Sequence, residues 1–191
     1  MNWFNLSYLK TGTPNQQSAY KLLKDHRILE LLEDFNPALV STVCVDLDIE
    51  GSDLDIICQY KQSSEFVEKC NGHFSQCDNF SITERDSYSL VNFNLPPFPI
   101  EIYGSTIETP QNNAYKHLTA MKRVLDLADD SLREEIRILK RNGFKTEPAF
   151  ASLLQLKGDP YQAFKKLFDV PNKILTELIH HRITAQEVLL N

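Results

Sequence analysis

Glycine is scarce in this 191-residue chain, and its six glycines, Gly12, Gly51, Gly72, Gly104, Gly143 and Gly158, are scattered. That spacing excludes a phosphate-cradling loop and a dinucleotide fingerprint. A nucleophile elbow is absent as well. Positive charge is in deficit: 20 Lys and Arg stand against 26 Asp and Glu, for a net charge of −6. A broad grip on DNA or RNA needs clustered cations to displace counterions, so a nucleic-acid polymer is disfavoured as a partner. Apolar runs of membrane-spanning length are missing, which excludes a transmembrane helix and a membrane partner. The N-terminal MNWFNLSYLK lacks the basic-then-apolar order of a signal peptide, and a cytoplasmic location is the expectation. Under that expectation the four cysteines, Cys44, Cys58, Cys70 and Cys77, read as free thiols. Cys70, His73 and Cys77 match no common zinc spacing.

What the chain has is 42% hydrophobic content, enough for a real core in one domain or a domain with an appended subdomain. Chemistry shows through in Ala38 to Cys58, ALVSTVCVDLDIEGSDLDIIC. Asp53 and Asp55 open an apolar, partly β-branched run, and strand alternation puts them on one face, about 7 Å apart. Leu54 and Ile56 take the opposite face and fix the register, because a one-residue slip would bury both acids. A third acid, Glu101, lies inside the strand-like run Phe98-Pro99-Ile100-Glu101-Ile102-Tyr103-Gly104, where burying an unpaired charge is costly. Beside Asp53 and Asp55 it would share a cation. Ser41 and Thr42 follow Ala38-Leu39-Val40, where a turning strand frees backbone N–H groups for phosphate oxygens. The overlapping Asp46-Leu47-Asp48-Ile49-Glu50-Gly51 copies the opening of a calcium loop. Its twelfth position is Ile57 where a bidentate glutamate is required, so these acids read as solvated loop residues.

Small hydroxyl pair, loop, Ser-Asp-Leu-Asp-Ile and a distal acid in a later strand together resemble the nucleotidyltransferase fold of the DNA polymerase β superfamily. The SDLDII and FPIEIYG runs, with QNNAYKHL and KTEPAFASLL, also resemble a bacterial branch of it. The resemblance implies that Asp53, Asp55 and Glu101 hold metal, two Mg²⁺ ions with Mn²⁺ as a substitute, and act as the catalytic acids. It implies that Ser41, Thr42 and Ser52 contact nucleotide phosphates. The activity implied is transfer of a nucleoside monophosphate from ATP or another triphosphate to a hydroxyl of a small molecule or protein. Ser41 departs from the superfamily's glycine, the residue used where backbone approaches a ligand closely. That departure supports an alternative on the same fold, a non-catalytic nucleotide-binding or interaction protein acting as a sensor or antitoxin.

In chain order, Thr13-Pro14-Asn15-Gln16 reads as a capping box with proline at the first helical position. The helix is expected to run to about Leu32, ahead of the break at Asn36-Pro37. Gln62 to Lys69 reads as a short helix closed by Gly72, and Phe80-Thr83, Tyr88-Phe93 and the Glu101 run read as strands. From Gln111 the pattern is helical to the end. Ser131-Glu134 and Thr184-Glu187 read as capping boxes, Asn142-Gly143 as a stop, Asp159-Pro160 as a start and Val170-Pro171 as a break. The expected fold is α+β: a mixed nucleotidyltransferase-type sheet of four or five strands flanked by helices in residues 1–108, and a C-terminal helical bundle in 109–191. Tyr115, His117, Arg123 and Lys145 are the candidates there for a second-substrate wall. The pair His180-His181 reads as helical surface.

Overall fold

A computed structural model describes residues 2–190. Thr13 starts α1 (Pro14–Asp25) with the expected capping box, its Oγ1 accepting from Gln16 N–H while Gln16 Oε1 accepts from Thr13 N–H. The expected single helix to Leu32 is broken at Arg27, which takes a left-handed φ of 53°. The polar run Lys24-Asp25-His26-Arg27 offers no apolar side chain to keep the stripe continuous, and the chain restarts as α2 (Ile28–Leu31) with Ile28 buried. Asn36, also left-handed, and Pro37 then deliver it into β1 (Ala38–Leu39).

After the hydroxyl turn and acidic loop come β2 (Leu54–Gln59) and α3 (Ser63–Phe74). α3 runs through Gly72 instead of stopping there. Phe66, Cys70 and Phe74, one helical turn apart, carry the buried stripe past the glycine. A meander follows: β3 (Asp78–Arg85), β4 (Tyr88–Leu95) and β5 (Phe98–Ser105). The strand order is β1-β2-β5-β4-β3, with β2 and β5 parallel and the other pairings antiparallel. This is the α+β class with a mixed sheet.

One sheet face is core. Leu54, Ile56 and Cys58 of β2, Val91 and Phe93 of β4, and Ile100 and Ile102 of β5 are buried. α3 lies against this face, with the Phe74 and Phe93 rings stacked at 4.7 Å. Gly104 is required here. A Cβ at that position would stand 2.7 Å from the Phe66 ring, so only a bare backbone lets the helix approach β5.

Contacts divide the chain into two units, Met1–Asp46 with Glu50–Tyr115, and Leu47–Ile49 with Lys116–Asn191. The second carries α4 (Asn113–Leu127) from Lys116 on, α5 (Ser131–Arg141), α6 (Thr146–Leu153), α7 (Pro160–Lys166), α8 (Asn172–His180) and α9 (Ala185–Leu190). Lys140 Nζ donates to Leu47 O at 2.6 Å, which explains why that piece of the acidic loop groups with helices. Thr184 and Glu187 form the expected box, and Asp159 caps α7 through Gln162 N–H. The Ser131 box does not form. Ser131 is already inside α5, and its N–H and hydroxyl both donate to Asp129, which Arg182 also holds at 2.8 Å. Two hydrogen bonds and a guanidinium hold the Asp129 carboxyl down at about 2. All four cysteines are free, three of them buried. Among the described residues, no helix is long and apolar enough to cross a membrane.

Candidate functional site

β2 and β5 run parallel in a register that pairs Asp55 with Glu101. Paired residues on neighbouring strands share a face, so these two carboxylates stand on one rung, opposite the buried face of Leu54 and Ile56. Asp53 lies one residue before β2 and is exposed, whereas Asp55 and Glu101 are half-buried. Carboxylates facing each other on one rung are spaced so that a cation could lie between them. Carboxylates are hard oxygen donors, the ligand type that Mg²⁺ and Mn²⁺ take. That donor type suits the implied ion, and the shared rung brings Asp55 and Glu101 together, with Asp53 one residue upstream of β2. Among the described residues, no three His, Cys, Asp or Glu side chains are already drawn together as an ion cage.

The hydroxyl turn is built from below. Ser41 is fully buried, donates its hydroxyl to Asp53 O at 2.6 Å and accepts from Val43 N–H at 3.3 Å. Its side chain is committed to backbone, tying the turn after β1 to the approach of β2. Thr42 and Ser52 are half-buried. The turn Thr42–Val45 is a 3₁₀ turn, and buried Gln16 of α1 donates to Val43 O at 2.9 Å. Gln16 thus joins helix cap to hydroxyl turn, a positioning role that local sequence reading missed. Cys44 sits in the same turn. Burial pushes its thiol up to about 12, and the negative charge of Asp55 acts in the same direction.

The acid-bearing face also carries a tyrosine pair. Tyr103 follows Glu101 by two residues on β5, and its ring stacks on that of Tyr88 on β4, with centroids 5.2 Å apart and planes at 22°. Both tyrosines are half-buried. Burial, with Tyr60 and Tyr88 nearby, pushes the Tyr103 phenol above its ordinary range, so it stays neutral.

The other candidates have mostly structural surroundings. Arg123 donates to Leu167 O, Phe168 O and Val170 O beyond the end of α7. His117 Nδ1 meets Glu147 Oε1 at 2.9 Å. The Tyr115 ring lies 5.9 Å from Phe4, and Lys145 is exposed at the start of α6. His180 and His181 are exposed, as expected. A cavity of about 460 Å³ in the first unit, lined by residues including Phe4, Tyr20, Leu23, Lys24 and Glu30, contains none of the three acids.

The family described as a domain of unknown function, DUF4269, matches residues 21–167. The chain belongs to the DUF4269 family. That match spans the hydroxyl turn, all three acids and the tyrosine pair. Similar solved structures include the Cid1 poly(U) polymerase bound to MgATP, at 12% identity and TM-score 0.52, covering 78% of this chain and 47% of that one. The GLD-2/RNP-8 complex aligns at 12% identity and TM-score 0.54, covering 91% and 74%. A cytoplasmic RNA terminal U-transferase aligns at 13% and 0.50, covering 88% and 64%. These likenesses show a shared nucleotidyltransferase fold, and the DUF4269 chain spans only about half of Cid1. No curated protein matches it in sequence.

Proposed function

We propose that this chain is a divalent-metal-dependent nucleotidyltransferase that moves a nucleoside monophosphate from a nucleoside triphosphate onto an acceptor hydroxyl. The observation that carries the reading is the Asp55–Glu101 rung, with Asp53 one residue upstream of the same strand. The fold shared with the Cid1 structure, which holds MgATP, supports it. Bound Mg²⁺ would supply charge neutralisation at the phosphates and lower the pKa of the acceptor hydroxyl. Thr42 and the backbone of its turn would orient the β- and γ-phosphates, and Ser41 would act through Asp53, holding the approach to β2 in place. Glu101 would accept the acceptor's proton as the new O–P bond forms and the bond to the pyrophosphate oxygen breaks.

The expectation against a nucleic-acid acceptor rested on net charge alone, and the neighbours include an RNA terminal U-transferase. An acceptor nucleotide therefore joins the small-molecule and protein acceptors as a candidate.

The test is calorimetric titration of MgATP and MgGTP into wild type and the Asp53→Asn/Asp55→Asn double variant, both checked as folded by circular dichroism. It is followed by transfer assays with label on the α- or γ-phosphate. The expected result is metal-dependent binding and transfer of the α-label only, both lost in the variant. Equal binding by the two folded proteins, with no transfer, would establish the non-catalytic sensor reading instead.

A further inference from the structure

Resting on the transferase reading of the acids, we propose that Tyr103, Tyr88 and Arg85 form a strip that holds the 3′ end of a short single-stranded nucleic acid, the acceptor, beside Glu101. Strand order supplies the direction. The hydroxyl turn follows β1, at one edge of the sheet, and the acids sit on β2 and β5. The tyrosines lie on β5 and β4, across the acids from that turn. With the triphosphate at Thr42, the acceptor approaches from the tyrosine side.

Spacing selects the occupant. Tyr103 lies two residues beyond Glu101 on the same face, about 7 Å along the strand. That is comparable to the reach from a nucleoside's sugar hydroxyl to its base. The stacked pair covers one face of each ring with the other, and a base extends such a column because every base has a π-face. Next in line, Arg85 pairs in register with Tyr88 across β3 and β4, on the same face, and is exposed. A guanidinium one strand beyond the stack is placed for the phosphate that precedes the terminal nucleotides. Acid, aromatic pair and guanidinium thus follow one another as sugar hydroxyl, bases and phosphate do in a strand. A net charge of −6 limits this to a short contact rather than a long electrostatic track.

The test reads binding without turnover. Fluorescently labelled pentanucleotides of adenylate and uridylate are titrated, in EDTA, into wild type, Tyr103→Leu, Tyr103→Phe and Arg85→Ala. MgATP binding is measured in parallel with Mg²⁺ present. Tyr103→Leu is expected to weaken pentanucleotide binding roughly ten-fold, the loss of one stacked base. Tyr103→Phe should stay close to wild type, and Arg85→Ala should reduce the salt slope by about one. MgATP affinity should be unchanged in all three variants. Pentanucleotide binding equal in wild type and Tyr103→Leu would overturn the strip, as would free adenosine monophosphate binding as tightly as the pentanucleotide. Tyrosine-dependent pentanucleotide binding in a protein that binds no triphosphate would uphold the strip while removing the transferase reading.

Discussion

The two faces of the sheet are made by the same strands and differ residue by residue. Leu54, Ile56, Val91, Phe93, Ile100 and Ile102 face α3 and are buried, and between them in sequence stand Asp55, Asn92, Glu101 and Tyr103, all half-buried. On the proposed reading, stability and chemistry are interleaved at a spacing of one residue. Neighbours in the chain should fail in opposite ways when changed.

The largest effect is expected at Asp55. On the proposed transferase reading, Asp55→Asn should reduce transfer at least a thousand-fold, the loss expected when several kcal/mol of metal-borne stabilisation is removed. Its thermal midpoint should stay close to wild type, because asparagine keeps the side chain's size and can still hydrogen-bond at that position. A midpoint several degrees lower would mean that Asp55 belongs to the stabilising face, and the contrast would be lost. On the other face, Phe93→Ala removes a ring stacked on Phe74 and should cost about 3–5 kcal/mol in denaturant unfolding. Any protein that stays folded should keep its affinity for MgATP.

Gly104→Ala sharpens the comparison, because the added methyl meets the Phe66 ring, while Tyr103 beside it faces the other way. A loss of about 1–3 kcal/mol is expected, with relief when Phe66→Leu is added. The smallest effect is expected in the helical unit, at Asp129. Its folded carboxyl is held at about 2 against an ordinary 3.8, so the stability it contributes is present above pH 4 and lost as pH falls toward 2. Acid unfolding of Asp129→Asn should lack the part of the wild-type transition in that window, with little change at neutral pH.

Alternation made Leu54 and Ile56 legible as core and Asp55 as outward, and the acid inside an apolar run singled out Glu101. Which residue stands opposite Asp55 was not legible, because register between strands separated by α3 and a hairpin is set by tertiary pairing. The Tyr88–Tyr103 stack was hidden for the same reason. The break at Arg27 and the continuation of α3 through Gly72 show tertiary burial overriding local signals: Ile28 is drawn into the core, and Phe74 extends the buried stripe. The capping box at Thr13 was local and was fully readable. At Ser131 a nearby carboxylate outcompeted the local pattern.

The strand order also decides how the sheet ends. β1 is two residues long and preceded by Pro37, which offers no N–H to a further strand. β3, at the other edge, breaks register between Asp78 and Ser81 beside left-handed Asn79, and exposes Asp78, Glu84 and Arg85. Short length, proline, a bulge and charge are the features that keep one sheet from adding to another. A five-stranded sheet with unguarded edge strands would otherwise be a template for self-association, and here both borders resist it.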